Sequence, residues 1–413
     1  MMFKNLRLKT VDPMWAKLMA LSLALFFIFF ADAILSYWVP GFIQSSLGSA
    51  FLMGLIMAFS SLMGLIADLI LPQVLKNISV KTLLVCIIVL SVIFSLVLIF
   101  SIYSPVIIVF LFAMLVWGIY YELIGFANHE FVSTNIPINR RTGAWAVISL
   151  FSSLAYFLGP FVALFLMEYN DYFLVISSLF LTIISYLIFL MLKIKGVKAK
   201  IETNNVSIFE ELGYWKVLVR KVWPILSISF ILTLIDSAFW TIGAVLSEKL
   251  VSQNNFLASL YLPFFTLPTL VMGFILVRVN IYTQKKKLAE LFLIISSFFL
   301  ILMGLNQDIN WQLVCVLAIG VMQALAWPLS SAVYSDILSR MGNEKKHLIG
   351  LSNSTGSLAY ILGPLVAGLL SSFFGEYAAF SFIGVFILVA SVTLLIITPK
   401  KLKLPQNEIK NWE

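Results

Sequence analysis

Charge is scarce in this 413-residue chain: Asp, Glu, Lys and Arg make up 11% of it, against roughly 25% in ordinary soluble domains. That deficit, beside 61% hydrophobic residues and a mean hydropathy of +1.04, excludes a soluble globule. Cysteine and histidine are scarcer still, with two of each. Cys86 and Cys315 both lie in apolar runs, so a disulfide framework and a thiolate metal site have nothing to form from. Basic charge avoids the apolar stretches: no Lys or Arg stands in the middle of any of them. A site for sugar phosphates, dicarboxylates or other anions ordinarily needs a fixed positive charge, so such ligands are disfavoured. No nucleophile, base and oxyanion donors occur at a recognisable spacing, and His129 beside Glu130 is an ordinary interfacial pair. Neither an enzyme activity nor a cofactor is expected.

What is present is a series of apolar stretches of about 20 residues, each able to cross a hydrocarbon layer of roughly 30 Å. They predict an all-α polytopic membrane protein with twelve helices, at 16–38, 50–71, 80–100, 105–127, 142–166, 172–192, 222–245, 256–277, 287–304, 311–334, 347–370 and 378–397. The first is not read as a cleavable signal, because it is too long, carries Asp32 and precedes no small-residue cleavage site. With the N-terminus in the cytoplasm, all of the 27 Lys and Arg residues except Lys249 fall in cytoplasmic tails, loops or helix ends. That bias predicts a protein of the cytoplasmic (plasma) membrane with both termini on the cytoplasmic side and an even helix count. The net charge of +8 therefore records topology, not nucleic-acid binding, and the same residues suit anionic lipid headgroups.

The chain repeats itself. Ser153-Leu-Ala-Tyr-Phe-Leu-Gly-Pro-Phe-Val-Ala163 returns as Ser357-Leu-Ala-Tyr-Ile-Leu-Gly-Pro-Leu-Val-Ala367, nine of eleven positions being identical at an offset of 204. The same offset carries Asp32 onto Asp236. This predicts two six-helix bundles related by a parallel repeat, over 1–192 and 222–398, with a cytoplasmic linker at 193–221 and a tail at 399–413. In the linker, Ile208, Leu212, Trp215 and Leu218 share a face, which predicts a short amphipathic helix on the membrane surface.

Asp32, Asp236 and Glu122 lie inside spans with no basic residue at their depth. A bare carboxylate in hydrocarbon costs at least a few kcal/mol, so each should meet a water-filled cavity or take up a proton. The bland reading is a hydrogen-bonded carboxyl that pins two helices. Aromatic residues make up the expected lining of the cavity: Tyr37, Trp38, Trp117, Trp240, Trp327 and Tyr334. Thr233 and Gln323 join them as polar contacts. Carboxylates and ring faces together favour a neutral, cationic or amphipathic solute. Gly159-Pro160 and Gly363-Pro364 put matched bending points in spans 5 and 11.

Gly64-Leu-Ile-Ala-Asp68, at the end of span 2, resembles the loop motif of the major facilitator superfamily. The stretch from Gly320 to Asp336, followed by Arg340, resembles its helix 10 to helix 11 region, and Gly159-Pro160 resembles the antiporter motif of its exporters. The resemblance covers nearly the whole chain. It implies a gate on the inner side in which Asp68 latches the halves, with Arg140 or Arg141 as partner because Leu69 replaces the usual arginine; Asp336 and Arg340 are the corresponding gate residues of the second half. It also implies alternating access, with a small organic solute and protons as partners and the monomer as functional unit. Proton-coupled export of an amphipathic neutral or cationic compound is the first expectation. Proton symport of a neutral solute such as a sugar, nucleoside or peptide is the alternative, and a non-transporting sensor or assembly protein is a third.

Overall fold

The structure, a computed structural model, describes residues 13–74, 80–135, 141–191, 208–278, 284–341 and 345–398, and these are helical apart from short turns. The first six helices are α1 (Pro13–Leu47), α2 (Ala50–Val74), α3 (Val80–Tyr103), α4 (Ile107–Asn135), α5 (Arg141–Met167) and α6 (Asp171–Met191). Next come α7 (Ile208–Ala238), a π turn at Phe239–Gly243, α8 (Ala244–Leu250) and the short α9 (Asn255–Ser259). The chain continues through α10 (Tyr261–Arg278), α11 (Lys285–Met303), α12 (Ile309–Met341), α13 (Lys345–Phe374) and α14 (Glu376–Ile397).

Ten spans among the described residues are long and apolar enough to cross a membrane; one of them runs from Leu212 through the π turn to Leu250. Two further predicted spans map to α10, whose apolar part is the shorter Tyr261–Met272, and to α11, which opens on Lys285, Lys286 and Lys287. Large apolar side chains such as Phe100, Ile108, Phe180, Phe386 and Ile396 point outward and stay exposed. That is the surface a bilayer requires, since its core offers backbone groups no water. The fold is a multi-pass integral membrane protein.

One expectation changes. The predicted surface helix is not separate: α7 runs unbroken from Ile208 into the span. Leu218, Val222 and Ile225 are all buried, so one apolar stripe continues in phase across the expected break.

Packing follows from small residues and local polar bonds, because lipid tails are as apolar as leucine and give little drive for helices to associate. Among the first six helices, α1 packs on α5 and α6, α2 on α4, and α3 on α4 and α6. In the remainder, α7 packs on α13, α10 on α12, and α11 on α12 and α14. The two sets meet mainly where α2 lies on α13, α5 on α10 and α1 on α8. Gly118 lies against the Ser60 carbonyl and Gly320 against the Phe265 carbonyl, approaches that a Cβ would block. Ser185 donates to the Ala24 carbonyl at 2.8 Å and Ser381 to the Ile301 carbonyl at 2.7 Å, bonds worth about 0.6 kcal/mol each in such proteins. Gly48 (φ +64°) and Gly375 (φ +81°) make the tight turns α1–α2 and α13–α14, in backbone conformations that L side chains avoid.

Candidate functional site

Asp32 sits in α1, 3% exposed. Ser36, one turn on and so on the same face, lies 3.4 Å from Oδ2. From α4, Trp117 Nε1 donates to Oδ1 at 2.7 Å and the Tyr120 hydroxyl donates to the same oxygen. From α5, the Tyr156 hydroxyl donates to Oδ2 at 2.6 Å. The sequence suggested an uncompensated carboxylate here. It is instead saturated by four donors, because Trp117 and Tyr120 are three apart on α4 and point the same way.

Asp236 in α7 is only half-buried. It accepts from the Tyr360 hydroxyl of α13, and Trp240 stands one turn along the same helix face. A carboxylate offers about four lone-pair sites, so most of this one's capacity is open. Trp240 lies in the π turn, a feature that often marks functional positions and that shifts the phase of everything after it. The matching part of α1 carries no such turn.

Both aspartates and Glu122 line one cavity of about 810 Å³. Glu122 lies beside Gly64 of α2, where a Cβ would fall 3.0 Å from its Oε1. The remainder of the wall is hydroxyls and rings, with Ser60, Ser153, Ser357, Thr266 and Asn353 contributed by both sets of helices. Among the described lining residues there is no Lys, Arg or His. Two other buried acids are ion-paired, while Glu248 of α8 keeps a buried oxygen without a partner. Glu290 is paired with Lys286 at 2.8 Å and Glu376 with Lys249 at 2.6 Å; Asp32 and Asp236 have no cation beside them among the described residues. No metal-capable cluster of His, Cys, Asp or Glu lies among the described residues.

Of the expected cavity residues, Trp117, Thr233, Trp240 and Trp327 line it. Tyr37 and Trp38 do not. Tyr37 is five residues past Asp32 and so about 140° round the helix; it is fully buried and bonds Ser247 at 2.8 Å. Trp38 donates to Asp171 at 2.9 Å. Gln323 also lies outside the cavity, 3% exposed with neither amide atom partnered; it is one turn, about 5.4 Å, beyond Trp327. Tyr334 is turned to the Leu348 carbonyl. Tyr120, Tyr121, Tyr156 and Tyr360 were not anticipated.

The two Gly-Pro pairs pack directly on the aspartate helices. Gly159 lies against Ala33, the residue after Asp32, and Gly363 lies against Ser237, the residue after Asp236. Pro160 follows inside α5, and Pro364 lines the cavity. Arg140 lies outside the described residues, as do the side chains of Asp68, Arg141, Asp336 and Arg340.

The cavity is closed at the end formed by the tight turns. There Gln44 of α1 and Lys249 of α8 both donate to Glu376, at 2.9 and 2.6 Å. Asn255 donates to Glu168, and Gly54 abuts the Pro364 carbonyl and Gly368. The lining runs the other way, toward Phe126, Ser152 and Asn353.

The sequence profile of the Major Facilitator Superfamily matches residues 21–343 and 251–412. The chain belongs to the major facilitator superfamily. It is therefore a secondary active transporter, not an enzyme, and moves a small organic solute by alternating access. No curated protein matches it by sequence. Solved structures share the fold of this superfamily member. The human organic anion transporter MFSD10 (TETRAN) superimposes with a TM-score of 0.65 at 17% identity, over 93% of this chain and 100% of that one. A POT family transporter in complex with 5-aminolevulinic acid gives 0.73 at 11%, over 93% and 96%. A bacterial homolog of the human lysosomal transporter Spinster, inward-facing and unoccupied, gives 0.69 at 13%, over 94% and 97%.

Proposed function

We propose that this transporter takes up a small polar solute together with a proton, through twelve spans arranged as two six-helix bundles. The observation that carries the reading is the pair of carboxyls sharing one cavity with unequal occupancy. Asp32 is filled by protein donors, while Asp236 keeps acceptor capacity for a guest. Where proton and solute compete for one carboxyl, the outcome is exchange. Where each has its own, both ride together, and this favours symport over the export that the sequence placed first. The POT structures, one of them bound to a thioalcohol-conjugated peptide, support a solute of peptide or similar polarity. The described lining offers no cation for an anionic solute of the kind named for MFSD10.

The bias of the basic residues supports an open end facing the cytoplasm; on this reading the conformation is the inward-open state of a monomer in the plasma membrane. Gly159-Pro160 and Gly363-Pro364 are the bending points, and Asp68, Arg140, Arg141, Asp336 and Arg340 form the cytoplasmic gate that closes in the opposite state. Asp32 carries the proton when one of its hydroxyl donors turns and accepts from the carboxylic acid instead; Glu122, on the inner wall, relays it. Opening and closing do work only if the solute binds the two states unequally.

The test is accumulation in proteoliposomes that are acid outside, with labelled dipeptide, hexose, nucleoside and phenethylamine as probes. Uptake of at least one above equilibrium, abolished by a protonophore, is expected. Asp32→Asn should end accumulation while leaving solute exchange between the two sides. Accumulation that ignores the proton gradient, or that survives Asp32→Asn, overturns the reading.

A further inference from the structure

We infer that Asp236, with the rings of Tyr121, Trp240 and Tyr360, is the binding site for a positively charged amine of the solute, whereas Asp32 never touches it. This rests on the transport reading and adds the substrate class: a monocationic organic amine.

The argument is one of accounting at two matched positions. Each aspartate accepts a hydroxyl from a tyrosine 124 residues further along the chain. Beyond that they part. Asp32 also accepts from Trp117 and Tyr120, with Ser36 alongside, and is shielded at 3% exposure. A fifth donor has no lone pair to meet. Asp236 accepts from Tyr360 and remains partly exposed in the cavity it lines.

Its surroundings suit a cation. Tyr121 is 48% exposed and Tyr360 38% exposed, both toward the cavity they line. Tyr121 lies within electrostatic range of Asp236 as well as of Asp32 and Glu122. Trp240, half-buried, meets Tyr156 edge-on at 5.4 Å, so the ring wall is continuous from one aspartate to the other. Aromatic faces attract cations by their quadrupole, most strongly where water is displaced, and the ionised carboxylate supplies the opposite charge. A neutral guest loses both contributions. An anionic guest would meet three carboxyls, from Asp32, Asp236 and Glu122, and no cation among the described lining residues.

The experiment is calorimetric titration of the purified full-length protein in detergent with three probes of one size: phenethylamine, 2-phenylethanol and phenylacetate. Phenethylamine should bind at least about tenfold more tightly than the alcohol, a ratio within reach of one charge contact plus ring faces, and phenylacetate should bind least. Asp236→Asn should erase the preference for the amine, and Asp32→Asn should keep it. Equal binding of amine and alcohol by the wild type overturns the inference, as does a preference that survives Asp236→Asn or disappears in Asp32→Asn. Should Asp236→Asn fail to fold, Tyr121→Leu decides: the ratio of amine to alcohol affinity must fall several-fold, and an unaltered ratio overturns the proposal. No proton gradient enters this measurement. A failure here with proton-driven uptake intact removes only the amine site, while amine selectivity without proton-driven uptake removes only the coupling.

Discussion

Tyr156 donates to Asp32, and the same bond recurs 204 positions later between Tyr360 and Asp236. The tyrosines occupy the fourth place of the duplicated eleven-residue block, on the helices that carry the Gly-Pro pairs. Each aspartate is thus tied to a Gly-Pro helix, and a change in its bonding acts directly on that helix.

Removing the two hydroxyls should have unequal consequences. Tyr156→Phe leaves Asp32 with Trp117, Tyr120 and Ser36, so the loss should approach that of one ordinary hydrogen bond, about 1 kcal/mol. Tyr360→Phe takes the tyrosine donor from a partly exposed carboxylate, and water from the cavity replaces it. Its stability cost should be smaller and its effect on solute affinity larger. Thermal unfolding in detergent and probe titration, run on both variants, check the inversion.

The Gly-Pro helices make a steric prediction. A Cβ at Gly159 would meet both the Cβ and the backbone of Ala33, whereas one at Gly363 would meet the side chain of Ser237. Backbone cannot step aside; a serine hydroxyl can be removed. Gly159→Ala should cost about 1–3 kcal/mol as overpacking. Gly363→Ala should cost less, and adding Ser237→Ala should recover part of that loss. Unfolding midpoints of the three variants test the order.

How much of this was legible in the sequence depends on which physical signal each feature leaves. Spans and intramembrane acids leave strong ones, because hydrocarbon tolerates so few polar groups, and the offset of 204 tied Asp32 to Asp236. Tyr156 and Tyr360 were visible in the same duplicated block, but their role was not, since a tyrosine in an apolar helix reads as filler until its neighbour is known. Tyr37 and Gln323 failed on phase and depth. A run of apolar residues on all sides of a helix does not say which side faces the cavity, or where along the axis the helices close together. The continuity of α7 was hidden by Arg220 and Lys221, which fall between the predicted surface helix and the predicted span, while the buried stripe Leu218, Val222, Ile225 continued regardless. The π turn leaves no local mark; tertiary packing around Phe239, stacked on Phe265 at 4.1 Å, accompanies it.

The closed end should yield to a single enlarged residue. Gly54 sits against the Pro364 carbonyl and the Cα of Gly368, at the broadest contact between the two sets of helices. Gly54→Leu cannot be accommodated without separating α2 from α13 at this end, which biases the protein toward opening there. On a background lacking Cys86 and Cys315, Ser36→Cys reports the change: in sealed vesicles its labelling from the tight-turn side should rise several-fold with Gly54→Leu. Unchanged labelling would show that this contact does not hold the end shut.

The paired acid Glu290 provides the counter-case to Asp236. It is buried in α11, 2.8 Å from Lys286 one turn before it, and it lies outside the cavity. Removing the lysine alone leaves a carboxylate stranded in a low-polarity surround, so Lys286→Ala should destabilise by about 3–5 kcal/mol. Neutralising both, as Lys286→Met with Glu290→Gln, removes the stranded charge and should recover most of that loss. Transport by the double variant should match the wild type, because neither side chain lines the cavity. Asp236 has no cation beside it among the described residues, so its replacement by asparagine should show the opposite pattern, with stability largely kept and the preference for the amine erased. Comparing unfolding with probe titration across these variants separates an acid retained for packing from one left open for a guest.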